Sequence, residues 1–516
     1  MAETYDFIVI GAGSAGCVIA HRLVENTNAS VLLIEAGGPD SRPEIHKEDL
    51  ASTMSLWNLA ELNWGYRTQP QTALNGRVIS VARGKVWGGS SSINAMLHVR
   101  GNRFDYDYWN YLGNEGWSYE QVLPYFKKME DFEGGSSDYR GVGGPLSVII
   151  HADPTPVSQR LFAAATELGF DARGEGFDYN GERQDGSVFY YQATKTREHQ
   201  RASTAVAYLY AIKEKANFTL LSKAQVTRLV IEGNRVVSVE YLKDGHTVRV
   251  GVEQEVIVCG GAYESPKLLM LSGIGSAQTL QAHDIPIVVD LPGVGQNLQD
   301  HMILGVGYLS KQEHPFTATL IAETGLFTRS RSCIEQASPD LQIKFGGVKF
   351  VNPQYDKEGP AFTFAPVIIQ PQSIGYVTLR SNNPLDLAVL QPNYLTSDTD
   401  IQVFLQGIEL SRSLVHTSAF ADFLKEELAP GAEVTDEKEL REFIRNNAST
   451  LWHPVGTCKM GRDKMAVVDP QLRVHGIERL RVADASVMPH IVAGNTNAAC
   501  IMIGEKAAEM IQAAYQ

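Results

Sequence analysis

The chain has 516 residues, of which 44% are hydrophobic and 20% are charged, and its formal net charge is -14. This length and composition are typical of a folded protein with more than one domain. The negative charge argues against a general affinity for nucleic acid or anionic lipid. Because no run of about 18 apolar residues occurs, the sequence also predicts no integral membrane segment.

The first segment, YDFIVIGAGSAGCVIAHRLVENTNASVLLIEAGG, predicts a strand, a glycine turn, a helix and a second strand. Gly11, Gly13 and Gly16 have the GxGxxG spacing: the first allows the turn, the second lets a pyrophosphate approach, and the third packs the helix on the strand. Glu35 ends the second strand, where a carboxylate can accept both ribose hydroxyls. The segment therefore predicts a dinucleotide site, but the motif does not distinguish NAD from FAD.

Two later segments are also rich in glycine. In ARGKVWGGSSSINAMLHVRGN, residues 82–102, Gly88 and Gly89 would allow a flat polar ligand close to the backbone. Composition alone would equally suit an ordinary loop. In EVIVCGGAYESPKLLMLSGIG, residues 255–275, a buried strand leads through Gly260 and Gly261 into a helix that ends near Ser272.

The C-terminal half contains three further patterns. YVTLRSNNPLDLAVLQPNYL alternates as half-exposed strands do, and TDIQVFLQGIELSRSLVH predicts an amphipathic helix. LWHPVGTCKMG carries His453, which is either a buried structural side chain or a proton acceptor. That stretch alone does not decide between the two.

The cysteines predict a reducing environment. They are odd in number and scattered, without metal-ligand spacing, and the chain begins without a basic, apolar leader. We therefore expect a cytoplasmic enzyme with no bound metal. The five are Cys17, Cys259, Cys333, Cys458 and Cys500.

Together these segments resemble the glucose-methanol-choline (GMC) oxidoreductases, FAD enzymes that oxidise alcohols, and in particular their bacterial choline dehydrogenase-like branch. The resemblance runs from end to end. Its segments are the N-terminal motif, residues 82–102 and 261–275, LPGVGQNLQDH, WHPVGTCKMG and LRVADASVMPHIVAGNTNAACIMIGEKAA.

The resemblance implies a discontinuous α/β architecture. A Rossmann-like FAD-binding domain would comprise residues 1–151, 195–302 and 453–516. An inserted α+β substrate-binding domain, built on an antiparallel sheet, would comprise residues 152–194 and 303–452.

The resemblance also implies a catalytic pair, His453 and Asn495. A neutral imidazole can accept the hydroxyl proton of a primary alcohol, and the Asn495 amide can orient the alcohol oxygen. The flavin N5 would accept the hydride, which leaves an aldehyde. The other histidines, including His98, are expected to be structural.

The remaining cofactor contacts are carried over by motif. Some family members attach FAD through a histidine at the place of Ile93, so here the FAD is expected to be non-covalent. The expected FAD-binding residues are Gly11, Gly13, Ser14, Gly16, Glu35, Ala36, Val86, Gly88, Gly89, Asn94, Ala95, Met96, Leu97, Val226, Trp452, Asp484, Ala485, Asn495, Thr496 and Asn497.

Three questions stay open at the level of sequence. Glu323 is a candidate ligand for a trimethylammonium group, but no tryptophan lies between residues 118 and 451 to help enclose such a cation. The electron acceptor is either oxygen or a quinone- or dye-type molecule. The alternatives to alcohol oxidation are a non-oxidative reaction on the same fold, such as hydroxynitrile cleavage or fatty-acid photodecarboxylation, and a flavin-binding protein without catalysis.

Overall fold

Two large sheets form the framework of the protein in the computed structural model. The structure describes residues 3–47, 49–150, 155–171, 176–313, 320–331 and 337–515. Each sheet has its own hydrophobic core. In these described residues, no helix is long and apolar enough to cross a membrane.

The first sheet is mixed and has seven strands in the described part of the chain. They are Thr4–Ile10, Val31–Ile34, Phe218–Leu221, Gln225–Glu232, Arg235–Lys243, His246–Val258 and Leu480–Val482. Neighbouring strands are parallel except at Arg235–Lys243, which pairs antiparallel with the strands on both of its sides. All four residues of Val31–Ile34 are buried, as expected for a parallel strand covered on both faces.

Two helices from opposite ends of the chain pack together against this sheet. They are Gly16–Asn26, which follows the glycine turn, and the C-terminal helix Asn497–Tyr515. A Cβ atom at Gly504 would lie 2.9 Å from the Ala15 carbonyl oxygen, so only a glycine allows this close approach. The strand, glycine turn, helix and second strand predicted at the N-terminus are all present in the structure.

The second sheet is entirely antiparallel and has eight strands among the described residues. Two helices, Pro156–Glu167 and the predicted amphipathic helix Asp398–Val415, contribute to its core. The strands are Val188–Tyr190, Met302–Ile303, Val306–Ser310, Thr324–Thr328, Leu341–Gly346, Ala361–Ile368, Leu424–Ala429 and Ser449–Thr450.

The remaining elements lie outside the two large sheets. The other α-helices described are Pro43–His46, Leu50–Leu56, Arg103–Tyr111, Tyr119–Met129, Tyr210–Ile212, Gly261–Leu271, Ala277–Ala282 and Glu437–Asn447. The other strands described form pairs: Tyr66–Arg67 with Ser80–Val81, Glu130–Phe132 with Leu146–Val148, Ile274–Gly275 with Val289–Asp290, and Tyr376–Thr378 with Val389–Gln391. The last pair lies in the segment predicted to contain half-exposed strands.

The division into two domains remains a prediction. The strand Met302–Ile303 crosses the predicted boundary at residue 302, and residues 152–154, next to another boundary, lie outside the described residues. The overall class agrees with expectation: a mixed sheet with a Rossmann-like glycine turn, beside an antiparallel sheet with helices.

Candidate active site

The glycine turn has the geometry that its sequence predicts. Gly11 has a φ of 101°, and a Cβ there would lie 2.5 Å from the Cys259 carbonyl oxygen. A Cβ at Gly16 would lie 1.9 Å from the Gly11 carbonyl oxygen, so helix and turn touch there. At Gly13 no described atom beyond the residue and its chain neighbours lies within 4 Å of where a Cβ would be, which leaves room for a phosphate to approach the backbone.

Glu35 lies directly after the second strand with its carboxylate buried. Oε2 accepts a hydrogen bond from the Ala12 amide at 2.8 Å, and Oε1 accepts one from the Gly37 amide at 2.7 Å. Burial raises the pKa of this carboxyl group. Each oxygen keeps acceptor capacity for a further donor, such as a ribose hydroxyl.

Two adjoining cavities meet between the glycine turn and His453. The nucleotide cavity, which includes Glu35 in its lining, contains about 1040 Å³ free of protein atoms, and the histidine cavity, which includes His453, contains about 1470 Å³. Both volumes include space open to solvent. The residues that line both are Ser14, Arg83, Ser90, Ala485 and Cys500. The two cavities thus form one elongated cleft.

Most of the predicted cofactor residues line this cleft. Those in the nucleotide cavity are Gly11, Gly13, Ser14, Glu35, Ala36, Gly89, Val226, Asp484 and Ala485. Those in the histidine cavity are Ser14, Asn94, Ala95, Met96, Leu97, Trp452, Ala485, Asn495, Thr496 and Asn497. Gly16, Val86 and Gly88 line neither cavity.

The cleft suits FAD in shape and chemistry. The two glycine loops meet closely, since a Cβ at Gly89 would lie 2.8 Å from the Gly13 Cα. Helix Gly16–Asn26 begins beside the cleft, and a helix N-terminus stabilises phosphate charge. Ile93, which lines the histidine cavity, offers no nucleophile for a covalent flavin bond. Met96 and Trp452 both have a φ of 62°, a left-handed conformation that side chains rarely adopt and that often marks functional sites.

His453 is held between two partners. Its Nδ1 lies 2.9 Å from Nδ1 of His301, and its Nε2 lies 3.3 Å from Nδ2 of Asn495. Its backbone amide donates to Asp300 Oδ1 at 2.7 Å. The predicted pair His453 and Asn495, 42 residues apart in sequence, is therefore in contact.

The hydrogen-bond partners determine which nitrogens carry protons. Nε2 of His301 lies 3.2 Å from the carbonyl oxygen of Ile369, and a carbonyl only accepts, so this nitrogen carries the hydrogen. Burial lowers the pKa of His301 to about 3, so its ring is neutral and its Nδ1 is an acceptor. His453 therefore donates from Nδ1, which leaves a lone pair on Nε2, facing Asn495.

The surroundings of His453 favour its neutral form. Burial is the main cause that lowers its pKa well below 6.5, and the positive charges of Lys344 and Arg83 lower it further. At neutral pH the imidazole is thus a free base. An alkoxide forming beside it would offset these positive neighbours and stabilise the protonated ring.

Lys344 lies on the other side of Asn495. Its Nζ donates to Asn495 Oδ1 at 3.3 Å and to the Tyr191 hydroxyl at 3.2 Å. The residue is 5% exposed, and burial lowers the pKa of its amine to about 7. In its ammonium form Lys344 only donates, so it fixes the carbonyl of Asn495 toward itself and directs the amide NH2 toward His453.

The sequence interpretation missed His301, Asp300 and Lys344. His301 ends the segment LPGVGQNLQDH, but the sequence predicts only a structural role for it. Its contact with His453 depends on the pairing of Met302 with Thr450 in the second sheet, which no local pattern reveals. Lys344 carried a weak signal, as a single lysine within the buried strand Leu341–Gly346.

Glu323 lines neither cavity, and its carboxylate is engaged inside the protein instead of facing a substrate cation. The residue is fully buried, and its Oε2 accepts hydrogen bonds from the Thr155 amide and hydroxyl at 3.1 and 2.5 Å and from the Ser158 hydroxyl at 2.5 Å. These donors lie at the start of helix Pro156–Glu167. Glu323 thus stabilises a helix N-terminus, where a carboxylate is favourable.

Known proteins are similar to this chain over most of its length. Two family models, both described as GMC oxidoreductase, match residues 5–303 and 371–504. The chain is 41% identical to mitochondrial choline dehydrogenase of Mus musculus over 99% of this chain and 90% of the relative. It is 40% identical to oxygen-dependent choline dehydrogenase of Escherichia coli (strain K12 / DH10B) over 98% and 95%.

A solved structure is similar over the whole length. The crystal structure of pyridoxine 4-oxidase from Mesorbium loti has a TM-score of 0.93 and 33% sequence identity, with 99% of each chain covered. These relatives support alcohol oxidation with FAD over the non-oxidative alternative. The chain belongs to the GMC oxidoreductase family of FAD-dependent enzymes, which act on CH–OH donors.

Proposed function

We propose that the protein oxidises a primary alcohol to the aldehyde, with His453 as the base and Asn495 as the residue that orients the alcohol. The observation that carries this proposal is the direction of the lone pair on His453 Nε2. It faces the Asn495 amide inside the cavity, while the other ring nitrogen is engaged by His301. A residue that only packed in a core would not keep an accepting nitrogen toward a cavity.

The chain's own groups suit the proton transfer. The alcohol hydroxyl would donate to Nε2 of His453, and Nδ2 of Asn495 would donate to the alcohol oxygen, so that charge forming on this oxygen is stabilised. Asp300 keeps the His453 backbone in place and is itself held by the hydroxyls of Tyr394 and Thr450 at 2.5 and 2.6 Å. When bound, FAD supplies the two-electron acceptor for the carbon-bound hydrogen.

The cofactor residues named from the sequence remain part of this proposal. Their support is that 17 of the 20 line the cleft. Gly16, Val86 and Gly88 would act by shaping it: Val86 is fully buried and pairs with Gly38, and Gly88 has a φ of 81°. We also propose the domain division given above, since each sheet has a separate core.

The direct test is anaerobic mixing of the holoprotein with a panel of primary alcohols while the flavin absorbance is followed. Bleaching with release of the aldehyde is expected. A flavin that stays oxidised with every alcohol would contradict the proposal. Reoxidation of the reduced protein by air, compared with a quinone or dye, would then identify the electron acceptor.

We propose a reducing, cytoplasmic setting on the basis of the cysteines. Cys17, Cys259, Cys458 and Cys500 are free, and Cys333 lies outside the described residues. Free thiols are typical of reducing compartments.

A further inference from the structure

The charged side chains that line the histidine cavity are all basic. Its lining residues, all from the described part of the chain, include Arg83 and Lys344 but no aspartate or glutamate. Asp300 lies behind His453, 4% exposed, and its carboxylate is occupied by three hydrogen bonds. Glu323 is buried beneath a helix, as described above. Among the described residues, no carboxylate therefore faces the place where the alcohol would bind.

Lys344 is the more informative of the two cations. It is almost completely buried, yet it lines the cavity and forms no ion pair with a described carboxylate. A buried amine with only two neutral acceptors keeps donor capacity, because an ammonium group has three hydrogens. Burial lowers the pKa of this amine to about 7, because the charged form is costly here unless a partner compensates for it. An accepting or anionic ligand atom would be such a partner and would favour the ammonium form.

The position of Lys344 defines where that partner would lie. Its Nζ touches Asn495 Oδ1, and Asn495 Nδ2 touches His453. A substrate atom bound to Lys344 would therefore lie close to the reacting hydroxyl, not at the far end of the molecule. The rest of the wall is mainly apolar, with Ile303, Ile321, Phe345, Val348, Phe350 and Leu451.

From this arrangement we propose that Lys344 is a substrate-binding residue that selects primary alcohols with an apolar body and an anionic or strongly accepting oxygen near the hydroxymethyl group. It disfavours alcohols with a cationic group, including quaternary ammonium compounds. The inference rests on the proposed alcohol oxidation. It assigns this chain a substrate class other than choline. Choline is the substrate that appears in the names of its mouse and Escherichia coli relatives.

Two matched pairs of alcohols test the proposal on the holoenzyme. Choline and 3,3-dimethylbutan-1-ol have the same shape and differ in charge. We expect kcat/KM to favour the neutral compound by roughly 10-fold or more, because like charges at a binding site are strongly unfavourable. Benzyl alcohol and 2-hydroxybenzyl alcohol differ by one oxygen. We expect kcat/KM to be higher for 2-hydroxybenzyl alcohol by roughly 10- to 100-fold, which is the range of a hydrogen bond to a charged group.

In Lys344→Met the ratio of kcat/KM values within each pair of alcohols should come close to unity, while the protein keeps its FAD. Lys344→Gln serves the same purpose if the methionine variant binds FAD poorly. Lys506→Met is the matched control: Lys506 is also buried, at 7% exposure, but it lies over Trp117 and Tyr125, outside both cavities. This variant should keep the wild-type ratios.

The outcomes separate the two proposals. Reduction by the neutral alcohols with equal or better use of choline would overturn the role of Lys344 and leave alcohol oxidation intact. Ratios that persist in both Lys344 variants would also overturn it. If neither these four alcohols nor the other primary alcohols of the panel reduced the flavin, alcohol oxidation would be contradicted. The dissociation constants of the same alcohols, measured from the perturbed flavin spectrum, would then show directly whether Lys344 discriminates charge.

Discussion

Nδ1 of His301 lies 2.9 Å from Nδ1 of His453, and this contact determines the tautomer of the proposed base. His301→Leu should remove the acceptor and leave a buried N–H unsatisfied, at a cost of about 1–3 kcal/mol. We expect slower flavin reduction by alcohol with unchanged FAD content. In His301→Asn the amide oxygen can replace the lost acceptor, so this variant should recover part of the rate. Equal rates in the wild type and the leucine variant would show that the contact is only structural.

Replacement of His453 tests the base itself. His453→Ala should bind FAD normally but reduce it roughly 10²–10⁴-fold more slowly, the usual contribution of a general base. His475, which is half-buried and contacts the Gly461 carbonyl outside the cleft, provides the control His475→Ala. Flavin content and anaerobic reduction rate should be measured on the same sample. Normal reduction in a His453→Ala holoenzyme would exclude a catalytic role.

The pH profile should depend on Asn495. The active form of His453 is neutral and its pKa is lowered, so at saturating alcohol the protonation of His453 should slow reduction only on acidification well below pH 6.5. In Asn495→Asp a carboxylate beside His453 raises its pKa, which moves the acidic limb to higher pH. The same carboxylate repels the forming alkoxide and slows reduction at every pH. Asn495→Ala should slow reduction without moving the limb upward, and identical profiles in both variants would contradict this argument.

Glu35 should contribute to FAD retention. Glu35→Ala removes the acceptor for the ribose hydroxyls, and a hydrogen bond to a charged group typically contributes about 1.5–3 kcal/mol. It also leaves the Ala12 and Gly37 amides without their acceptor. Glu35→Gln keeps one acceptor oxygen and should retain more FAD. Dialysis followed by flavin absorbance measures the difference, and full retention in the alanine variant would mean that Glu35 does not bind the ribose.

The flavin should leave the protein intact on denaturation. Ile93 stands where some relatives attach FAD through histidine, and an aliphatic side chain forms no such bond. After acid precipitation we expect all of the FAD in the supernatant, identified by its mass. Yellow colour retained in the washed precipitate would indicate a covalent bond elsewhere.

Local patterns were sufficient for the parts of the site that are continuous in sequence. The run FIVIGAG predicted a strand and turn because each feature depends on neighbours within a few residues, and the structure has the strand Thr4–Ile10 followed by the left-handed Gly11. Asn495 was found only through spacing within a known family pattern. His301 lies 152 residues before His453, and Lys344 lies 151 residues before Asn495. Contacts at such separations depend on strand pairing and burial, which local periodicity does not encode.

The contact between the two ends of the chain has a consequence for biosynthesis. The Ser14 hydroxyl donates to Asn497 Oδ1 at 2.7 Å, and the C-terminal helix packs on Gly16–Asn26. The cleft therefore stays incomplete on the ribosome until translation of the last helix has finished. The flavin site is complete only after this helix has emerged from the ribosome, and a messenger truncated before the codon of Asn495 would yield a protein that lacks the wall beside His453.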